Sequence, residues 1–275
     1  MGSGHIFSYL SYNVLRTLKR GISADGVVME KSMWKPMAVF ILLAFVLSIS
    51  YEYFVLGQKE DTLTRTTGSD ALAVKSPKYV AITFDDGPKQ GTTDVLLEGL
   101  KERGVHATFF LIGKQIEGNE DIIRQMWEDG HQIGNHTYSH VNLKQLSAEA
   151  GTQELSECFY EVFQVTGQDS CLVRPPFGEV TSTLKKNMEC PVVLWSVDTM
   201  DWTGKSAGDI ADYIVNTARE GDIILLHDIY ENSVQGALMA IDAMMEKGYT
   251  FVTVTELFEQ NGITMEPGKV YRKTY

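Results

Sequence analysis

The sequence predicts an α/β protein built as a (β/α) barrel of about seven parallel strands, preceded by an N-terminal transmembrane helix. From about residue 78 onward, short β-rich runs alternate with amphipathic stretches. The strand-like runs are continuously apolar, as in parallel strands that are buried on both faces. A single apolar run of about 20 residues near the N-terminus predicts the membrane helix.

The alternation extends from residue 79 to residue 254. The predicted strands are YVAITF (79–84), ATFFLI (107–112), CLVRP (171–175), VVLWSV (192–197), DIILLH (222–227) and TFVTV (250–254). The predicted helices are Thr93–Arg103, Glu120–Glu128, Ser147–Val165, Ala207–Ala218 and Val234–Lys247. Polar side chains follow the ends of several strands, where (β/α) barrels assemble their catalytic sites.

The composition narrows the class of partner. The chain has 275 residues and a formal net charge of −12. A nucleic-acid-binding surface normally carries clustered Lys and Arg, so no nucleic-acid partner is expected. Three cysteines are too few for a disulfide-rich scaffold. A bridge between Cys171 and Cys190, which each open an apolar run, is one interpretation for an exported protein. The other, which we favour, is three buried reduced thiols.

The N-terminal part carries the membrane signal. Residues 36–56 are apolar on all faces, and residues 1–35 contain five basic and two acidic side chains. The positive-inside tendency places residues 1–35 in the cytoplasm and the rest of a single-pass membrane protein outside. A cleaved signal peptide is the rival interpretation, but the small-x-small site at 71–73 lies far beyond the apolar run, so we expect an uncleaved anchor. The polar residues 57–77 predict a stalk.

Two adjacent carboxylates follow the first predicted strand. Asp85 and Asp86 precede a Gly87-Pro88 turn, which interrupts strand alternation and lets both side chains face one pocket. Like charges so close need a cation or a proton between them. Standing alone, the pair is equally compatible with an Asx-type turn in solvent.

Two histidines have the spacing of metal ligands. His136 and His140 stand at i and i+4, which one helical turn places on the same side. With one carboxylate they form a set that leaves coordination positions for water and substrate. Two histidines at this spacing also occur by chance. Four of the six histidines lie in or near the motifs, which favours a metal site.

Three further strand ends carry polar side chains. Arg174 ends one strand, with its backbone restricted by two following prolines. Asp198 and Asp201, with Trp202, follow the next strand, and His227 closes the one after it. Singly, each has a structural explanation, such as a surface ion pair, a helix N-cap or a satisfied histidine. Their occurrence at successive strand ends predicts a catalytic site.

The series TFDDGP, HTYSH, RPPFG, DTMDW and LLH resembles, in order and spacing, the five motifs of carbohydrate esterase family 4, the NodB-homology polysaccharide deacetylases. The resemblance covers roughly 78–260, and no catalytic position departs from it. It implies a distorted (β/α) barrel for a catalytic domain at 78–262, with 263–275 as a C-terminal tail.

The resemblance also implies chemical roles. Asp85 would be the general base and His227 the general acid. Asp86, His136 and His140 would bind a divalent metal ion, for which Zn²⁺ is expected and Co²⁺ or another divalent transition metal is the alternative. The metal would polarise an amide carbonyl and activate water, and the acid would protonate the leaving amine.

Other motif residues would support these groups. Arg174 would orient the base, while Asp201, helped by Asp198, would pair with the general acid. The side chains assigned to the substrate pocket are Trp202, Leu225 and Phe177.

We therefore expect metal-dependent hydrolysis of the carbon–nitrogen bond of N-acetylglucosamine residues in an extracytoplasmic polysaccharide, above all peptidoglycan, which an anchored enzyme with a short stalk can reach. The alternative substrates are chitin oligosaccharides, N-acetylmuramic acid, exported poly-N-acetylglucosamine and O-acetylated xylan. A catalytically silent, membrane-tethered glycan-binding protein is a distant rival. A degraded motif would favour it, and none of the five motifs is degraded.

Overall fold

The computed structural model describes residues 77–167 and 172–275, in which strands alternate with helices as the sequence predicts. The strands are β1 (Lys78–Asp85), β2 (Thr108–Leu111), β3 (Gln132–Asn135), β4 (Val192–Val193), β5 (Val197–Asp198), β6 (Ile223–His227), β7 (Tyr249–Phe251) and β8 (Val270–Tyr271). The helices are α1 (Thr93–Glu102), α2 (Glu120–Glu128), α3 (Ala148–Thr166), α4 (Ser182–Asn187), α5 (Ala207–Thr217), α6 (Glu231–Glu246) and α7 (Val254–Gln260).

Strand β1 is the centre of the main sheet. The strand order is β3-β2-β1-β6-β5, and β7 pairs with the first residues of β1. Every pairing between these described strands is parallel. Parallel strands are covered on both faces, which explains why the predicted runs are continuously apolar.

One divided segment, 192–198, makes the barrel irregular. Its last residues form β5 and pair with β6, whereas its first residues form β4, which pairs with β8. A single bridge residue, Val173, links β4 to the end of β3. The strand predicted over 192–197 is thus split in two, and the one predicted over 171–175 contracts to this bridge. The circuit of strands closes through these joints, so the predicted distorted barrel is confirmed.

Two short strands, β3 and β8, are missing from the predicted set. Each is too short to show a hydrophobic period, and β3 contains Gly134. A Cβ at Gly134 would lie 2.5 Å from the ring of Phe110, so the glycine permits close contact with the neighbouring strand. With β5 counted apart from β4, the described residues form eight strands rather than about seven.

A capping box turns the end of the last predicted strand into a helix start. The run 250–254 is predicted as a strand, but β7 stops at Phe251. The Thr253 side chain accepts a hydrogen bond from the Glu256 N–H, and the Glu256 carboxylate accepts one from the Thr253 N–H. Two N–H groups without intrahelical partners are thereby satisfied, so α7 begins there.

Strand alternation decides which side chains reach the barrel interior. In β1, Phe84 packs outward with the helices, so Asp85 turns to the opposite face. In β6, Leu226 packs outward and His227 turns inward in the same way. The two strands pair in a register that sets Asp85 opposite His227. Two polar groups therefore meet at the carboxyl ends of neighbouring strands.

The cysteines differ in state. Cys158 is buried and free, whereas Cys190 is disulfide-bonded. Cys171 lies outside the described residues. The prediction of three reduced thiols is therefore wrong, because the pairing of thiols depends on tertiary proximity that an apolar run around each cysteine does not reveal.

The predicted cytoplasmic segment, the predicted anchor at 36–56 and nearly all of the predicted stalk lie outside the described residues. Within the described ranges, no helix combines the length and the apolar character needed to cross a bilayer. Residues 263–275, predicted as a tail, contain β8, and the backbone of Lys273 forms an isolated antiparallel β-bridge with that of Asp222. These last residues therefore pack onto the barrel.

Phe258 of α7 tests the packing of the barrel interior, where it meets the ring of Tyr271 at 5.1 Å between centroids. Phe258→Ala is expected to lower the free energy of unfolding by about 3–5 kcal/mol, because a buried aromatic side chain is replaced by a cavity. Phe163→Ala on the exposed side of α3 is the matched control and should change it by less than about 0.5 kcal/mol. Denaturant titrations measure both, and equal losses would contradict this account of the core.

Candidate active site

The carboxylate turn after β1 directs two acidic side chains to one imidazole, as the turn sequence predicts. Asp85 Oδ2 lies 3.7 Å and Asp86 Oδ1 lies 3.4 Å from His136 Nε2. Asp86 has φ +74°, a left-handed conformation that breaks the alternation of the strand. The two carboxylates consequently share one pocket instead of facing opposite sides of the sheet.

The two motif histidines converge, but not on a helix. Thr137 and His140 have φ values of +67° and +56°, so the segment is an irregular loop. His140 Nε2 lies 3.2 Å from Asp86 Oδ1, and the rings of His136 and His140 are 5.1 Å apart. The prediction that one helical turn aligns them is wrong, because hydrogen bonds to other parts of the chain impose the loop.

Asn135 and Glu154 hold this loop, and sequence reasoning missed both. The Asn135 side chain accepts a hydrogen bond from the Thr137 N–H and donates one to the Leu155 carbonyl. The Glu154 carboxylate accepts from both the N–H and the hydroxyl of Ser139, at 2.9 and 2.7 Å. Glu154 lies on α3, outside every motif, so no local signal marks it.

Three side chains form a set that fits a divalent metal ion. One nitrogen or oxygen atom from each of Asp86, His136 and His140 lies within 4.8 Å of the others. Asp86 Oδ1 is buried and, among the described residues, has no well-aligned hydrogen-bond donor. His136 Nδ1 donates a hydrogen bond to the Arg174 carbonyl at 2.6 Å, which leaves the lone pair of Nε2 directed into the site. A fixed tautomer of this kind is typical of metal-binding histidines.

The pKa shifts in the set follow from burial and from the close contacts among its members. Burial lowers the pKa of His136, which favours the neutral imidazole that metals require. Burial would raise the pKa of Asp86, but close contact with His140 and the other nearby imidazoles lower it overall. The pKa of His140 is raised, mainly by its contact with Asp86. This contact favours the protonated form of His140 when no cation is bound.

Arg174 is fully buried and fixes the first carboxylate. Its Nη1 donates to Asp85 Oδ1 at 2.8 Å and to the Thr83 hydroxyl at 2.7 Å. The guanidinium carbon lies 4.1 Å from the centre of the Phe110 ring. The pairing of Arg174 with Asp85 that the family resemblance implies is present, and it leaves Asp85 Oδ2 directed towards His136.

Asp201 holds His227 at two points. Its Oδ1 lies 2.9 Å from His227 Nδ1, and its Oδ2 accepts a hydrogen bond from the His227 N–H at 2.8 Å. Burial alone would lower the pKa of His227, but the hydrogen bond and charge of Asp201, with two other nearby carboxylates, raise it to about 9. Asp198 accepts instead from the Met200 N–H, so the structure brings Asp201 rather than Asp198 to the imidazole.

The predicted pocket residues occupy different depths. Leu225 is buried on the inner face of β6, whereas Phe177 and Trp202 are exposed. The Phe177 ring lies 5.2 Å from that of His140, at the rim of the site. Tyr230, which sequence reasoning missed, lies 6.3 Å from the His227 ring and is also exposed. A lone tyrosine after a strand carries no signal that distinguishes it from an ordinary surface residue.

Comparison with known proteins identifies the family. Residues 73–190 match the family model described as polysaccharide deacetylase. The first three motifs lie in this range, whereas Asp201 and His227 lie beyond it.

Three similar proteins extend the likeness over about two thirds of the chain. The Bacillus subtilis protein named peptidoglycan-N-acetylmuramic acid deacetylase PdaC is 36% identical over 182 residues, which are 66% of this chain and 39% of that protein. A Bacillus cereus protein named peptidoglycan-N-acetylglucosamine deacetylase is 35% identical over 187 residues, 66% of this chain and 68% of that protein. The structure of a family 4 acetyl xylan esterase from Clostridium thermocellum with a cobalt ion matches with a TM-score of 0.68 and 32% identity, covering 71% of this chain and 98% of that one.

The chain spans less than half the length of the Bacillus subtilis protein but more than two thirds of the Bacillus cereus protein. Motif residues, strand topology and these similarities agree, and the chain belongs to the polysaccharide deacetylases of carbohydrate esterase family 4, the NodB-homology proteins.

Proposed function

We propose that this protein hydrolyses the N-acetyl groups of N-acetylglucosamine residues in peptidoglycan outside the cytoplasmic membrane. The observation that carries the proposal is the opposition of Asp85 and His227 on neighbouring strands, beside the three-ligand set. A carboxylate base, an imidazolium acid and a metal site at one strand edge are what amide hydrolysis requires. The Bacillus cereus relative named for this activity supports the choice of sugar.

The metal site is formed by Asp86, His136 and His140. A divalent ion bound there supplies a Lewis acid that polarises the acetyl carbonyl and acidifies water. Two nitrogen ligands and one oxygen ligand suit Zn²⁺, which we propose as the resident ion. Co²⁺ is the alternative, in keeping with the cobalt ion in the similar acetyl xylan esterase structure.

Asp85 acts as the general base. Arg174 holds its Oδ1, so Oδ2 is the oxygen that accepts a proton from the attacking water. The water oxygen forms a bond to the carbonyl carbon while that proton moves to the carboxylate. The buried ion pair prevents Asp85 from rotating away, which keeps the proton acceptor in place without a reorganisation step.

His227 acts as the general acid. Its pKa of about 9 keeps the imidazole protonated at neutral pH, and its Nδ1 donates a hydrogen bond to Asp201. Nε2 is therefore the atom that donates a proton to the amide nitrogen as the carbon–nitrogen bond breaks. The products are acetate and a free amino sugar. Without this proton, expulsion of an amine anion would be the difficult step.

The other candidate substrates remain within the same chemistry. N-acetylmuramic acid is favoured by the name of the Bacillus subtilis relative, and O-acetylated xylan by that of the esterase structure. Chitin oligosaccharides and exported poly-N-acetylglucosamine differ from peptidoglycan mainly in the groups beyond the reacting sugar. A silent glycan-binding protein is disfavoured because base, acid and ligand set are all present.

Mass spectrometry of glycan fragments tests the proposed substrate. Peptidoglycan fragments incubated with the protein should lose one acetyl group from each N-acetylglucosamine, and chitin oligosaccharides, N-acetylmuramic acid and acetylated xylan should react more slowly. A chelator should abolish the loss, and Zn²⁺ or Co²⁺ should restore it. Acetyl loss confined to another substrate would replace peptidoglycan, and full activity in metal-free protein would refute the mechanism.

Substitutions of the base and the acid separate their roles from metal binding. Asp85→Asn and His227→Ala should each lower kcat by about 100-fold or more, the usual size of a general acid or base contribution. Both variants should keep about one metal ion per chain, since neither residue belongs to the ligand set. His136→Ala is the control that should lose the ion, as elemental analysis would show.

The pH dependence of these variants gives a second readout. The protonated form of His227 is the active one, so the wild-type rate should fall as pH rises through its pKa, forming the basic limb of a bell. His227→Ala should lack that limb and keep the acidic one. If this variant loses the metal, or retains the bell at a high rate, His227 is not the acid.

The apolar run 36–56 motivates a proposal for location. The full chain should sediment with membranes and expose residues 78–262 to external protease, because the basic excess in 1–35 favours a cytoplasmic N-terminus. A version that starts at residue 76 should remain in the supernatant and stay active. Recovery of the full chain in the cytosolic fraction would contradict the proposed topology.

A further inference from the structure

Asp228 is a fully buried carboxyl group directly after His227, and the mechanism above does not use it. Its Oδ2 accepts a hydrogen bond from the Thr93 hydroxyl at 2.6 Å. Its Oδ1 has no hydrogen-bond partner among the described residues. Burial raises the pKa of Asp228 to about 7, although the Thr93 hydrogen bond opposes the shift. A buried carboxyl group with one unsatisfied oxygen destabilises a fold. Its presence beside the site therefore calls for a functional explanation.

The carboxyl group of Asp228 packs against the turn that carries the catalytic carboxylates. A Cβ at Gly87 would lie 2.2 and 2.5 Å from the two Asp228 oxygens, so the group lies flat against the Gly87 backbone. Asp86, the preceding residue, has φ +74°, which a non-glycine residue adopts only where its surroundings impose it. Asp228 supplies one wall of those surroundings.

Hydrogen bonds extend this contact into a tie between two loops. The Thr93 hydroxyl, which donates to Asp228, accepts from the Lys89 N–H at 2.9 Å. The Lys89 ammonium donates to the Ile229 carbonyl, also at 2.9 Å. The segment that follows the carboxylate turn is thus fastened at two points to the segment that follows His227.

We propose that Asp228 is a positioning residue that, through Gly87 and Thr93, holds the turn carrying Asp85 and Asp86 in place against His227. The inference rests on the proposed function. Asp228 acts through its shape and as a hydrogen-bond acceptor rather than through its charge. A negative charge on Asp228 would be unfavourable, because the catalytic carboxylates near it are themselves negative. Asparagine keeps the shape of the side chain and one acceptor oxygen, so Asp228→Asn should preserve the positioning of the turn.

The test compares Asp228→Ala, Asp228→Asn and Thr93→Val in the full chain. Co²⁺ is titrated into metal-stripped protein, its visible absorption spectrum is recorded, and acetate release gives kcat and KM. Asp228→Ala and Thr93→Val should bind Co²⁺ about 10-fold or more weakly, because the turn that carries Asp86 loses its support, and should show an altered spectrum and a lower kcat at little-changed KM. Asp228→Asn should stay within about 3-fold of wild type in affinity and kcat.

Asp222→Ala is the matched control for general loss of stability. Asp222 is a buried carboxylate just before β6, at the end of that strand remote from His227. It accepts hydrogen bonds from the Ser196 hydroxyl at 2.8 Å and the Arg219 N–H at 2.7 Å. Asp222→Ala should lower Tm and leave the Co²⁺ spectrum and kcat of the folded protein unchanged.

Several outcomes would overturn the proposal. These are wild-type Co²⁺ affinity and kcat in Asp228→Ala, equal damage in Asp228→Asn, or the same spectral change in Asp222→Ala. If Asp228→Ala does not fold, Thr93→Val decides between the same outcomes. A wild-type protein that binds no Co²⁺ and releases no acetate would refute the proposed function itself, which keeps the two failures distinct.

Discussion

The site depends on the interactions of one buried group, the guanidinium of Arg174. A charge without solvent contact costs several kcal/mol unless it is paired and hydrogen-bonded, so the barrel must bring partners to it. Asp85 and Thr83 come from β1, the carbonyls of Val193 and Leu194 from the segment at β4, and the stacked ring of Phe110 from β2. The Arg174 carbonyl in turn fixes the tautomer of His136. One residue therefore joins the irregular side of the barrel, the proposed base and the proposed metal ligands.

Backbone strain in the described residues concentrates around this centre. The non-glycine residues with positive φ in the described ranges are Asp86, Thr137, His140, Phe177 and Met200. All of them lie in four of the five motif segments, and each conformation costs about 1–3 kcal/mol on its own. The surrounding contacts offset this cost: Glu154 and Asn135 hold the histidine loop, and Asp228 packs against the carboxylate turn. The regular sheet provides the rigid frame that makes these strained loops tolerable.

Two titratable groups at one level of the sheet acquire opposite roles from their partners. Asp85 is held by a cation, Arg174, whereas His227 is held by an anion, Asp201, which raises its pKa. Both lie on inner positions of β1 and β6, so strand register sets their separation. The proposed assignment of base and acid thus rests on neighbours supplied by other strands and loops, and not on the two residues themselves.

The strand–helix alternation, the motif residues and the family could be predicted from the sequence, because apolar runs and motif letters are local properties. The inward direction of Asp85 and His227 follows from alternation along their strands. The membrane anchor stays a prediction. The short strand β3 and the loop shape of the histidine motif could not be predicted. The capping box that starts α7 has a local Thr-x-x-Glu spacing, which the prediction of a strand over 250–254 overlooked. The sequence offered a disulfide at Cys190 as one of two interpretations but could not decide between them. Short or irregular segments take their conformation from distant partners, as the histidine loop does from Glu154. Such contacts join residues far apart in the chain, and no local period or spacing encodes them.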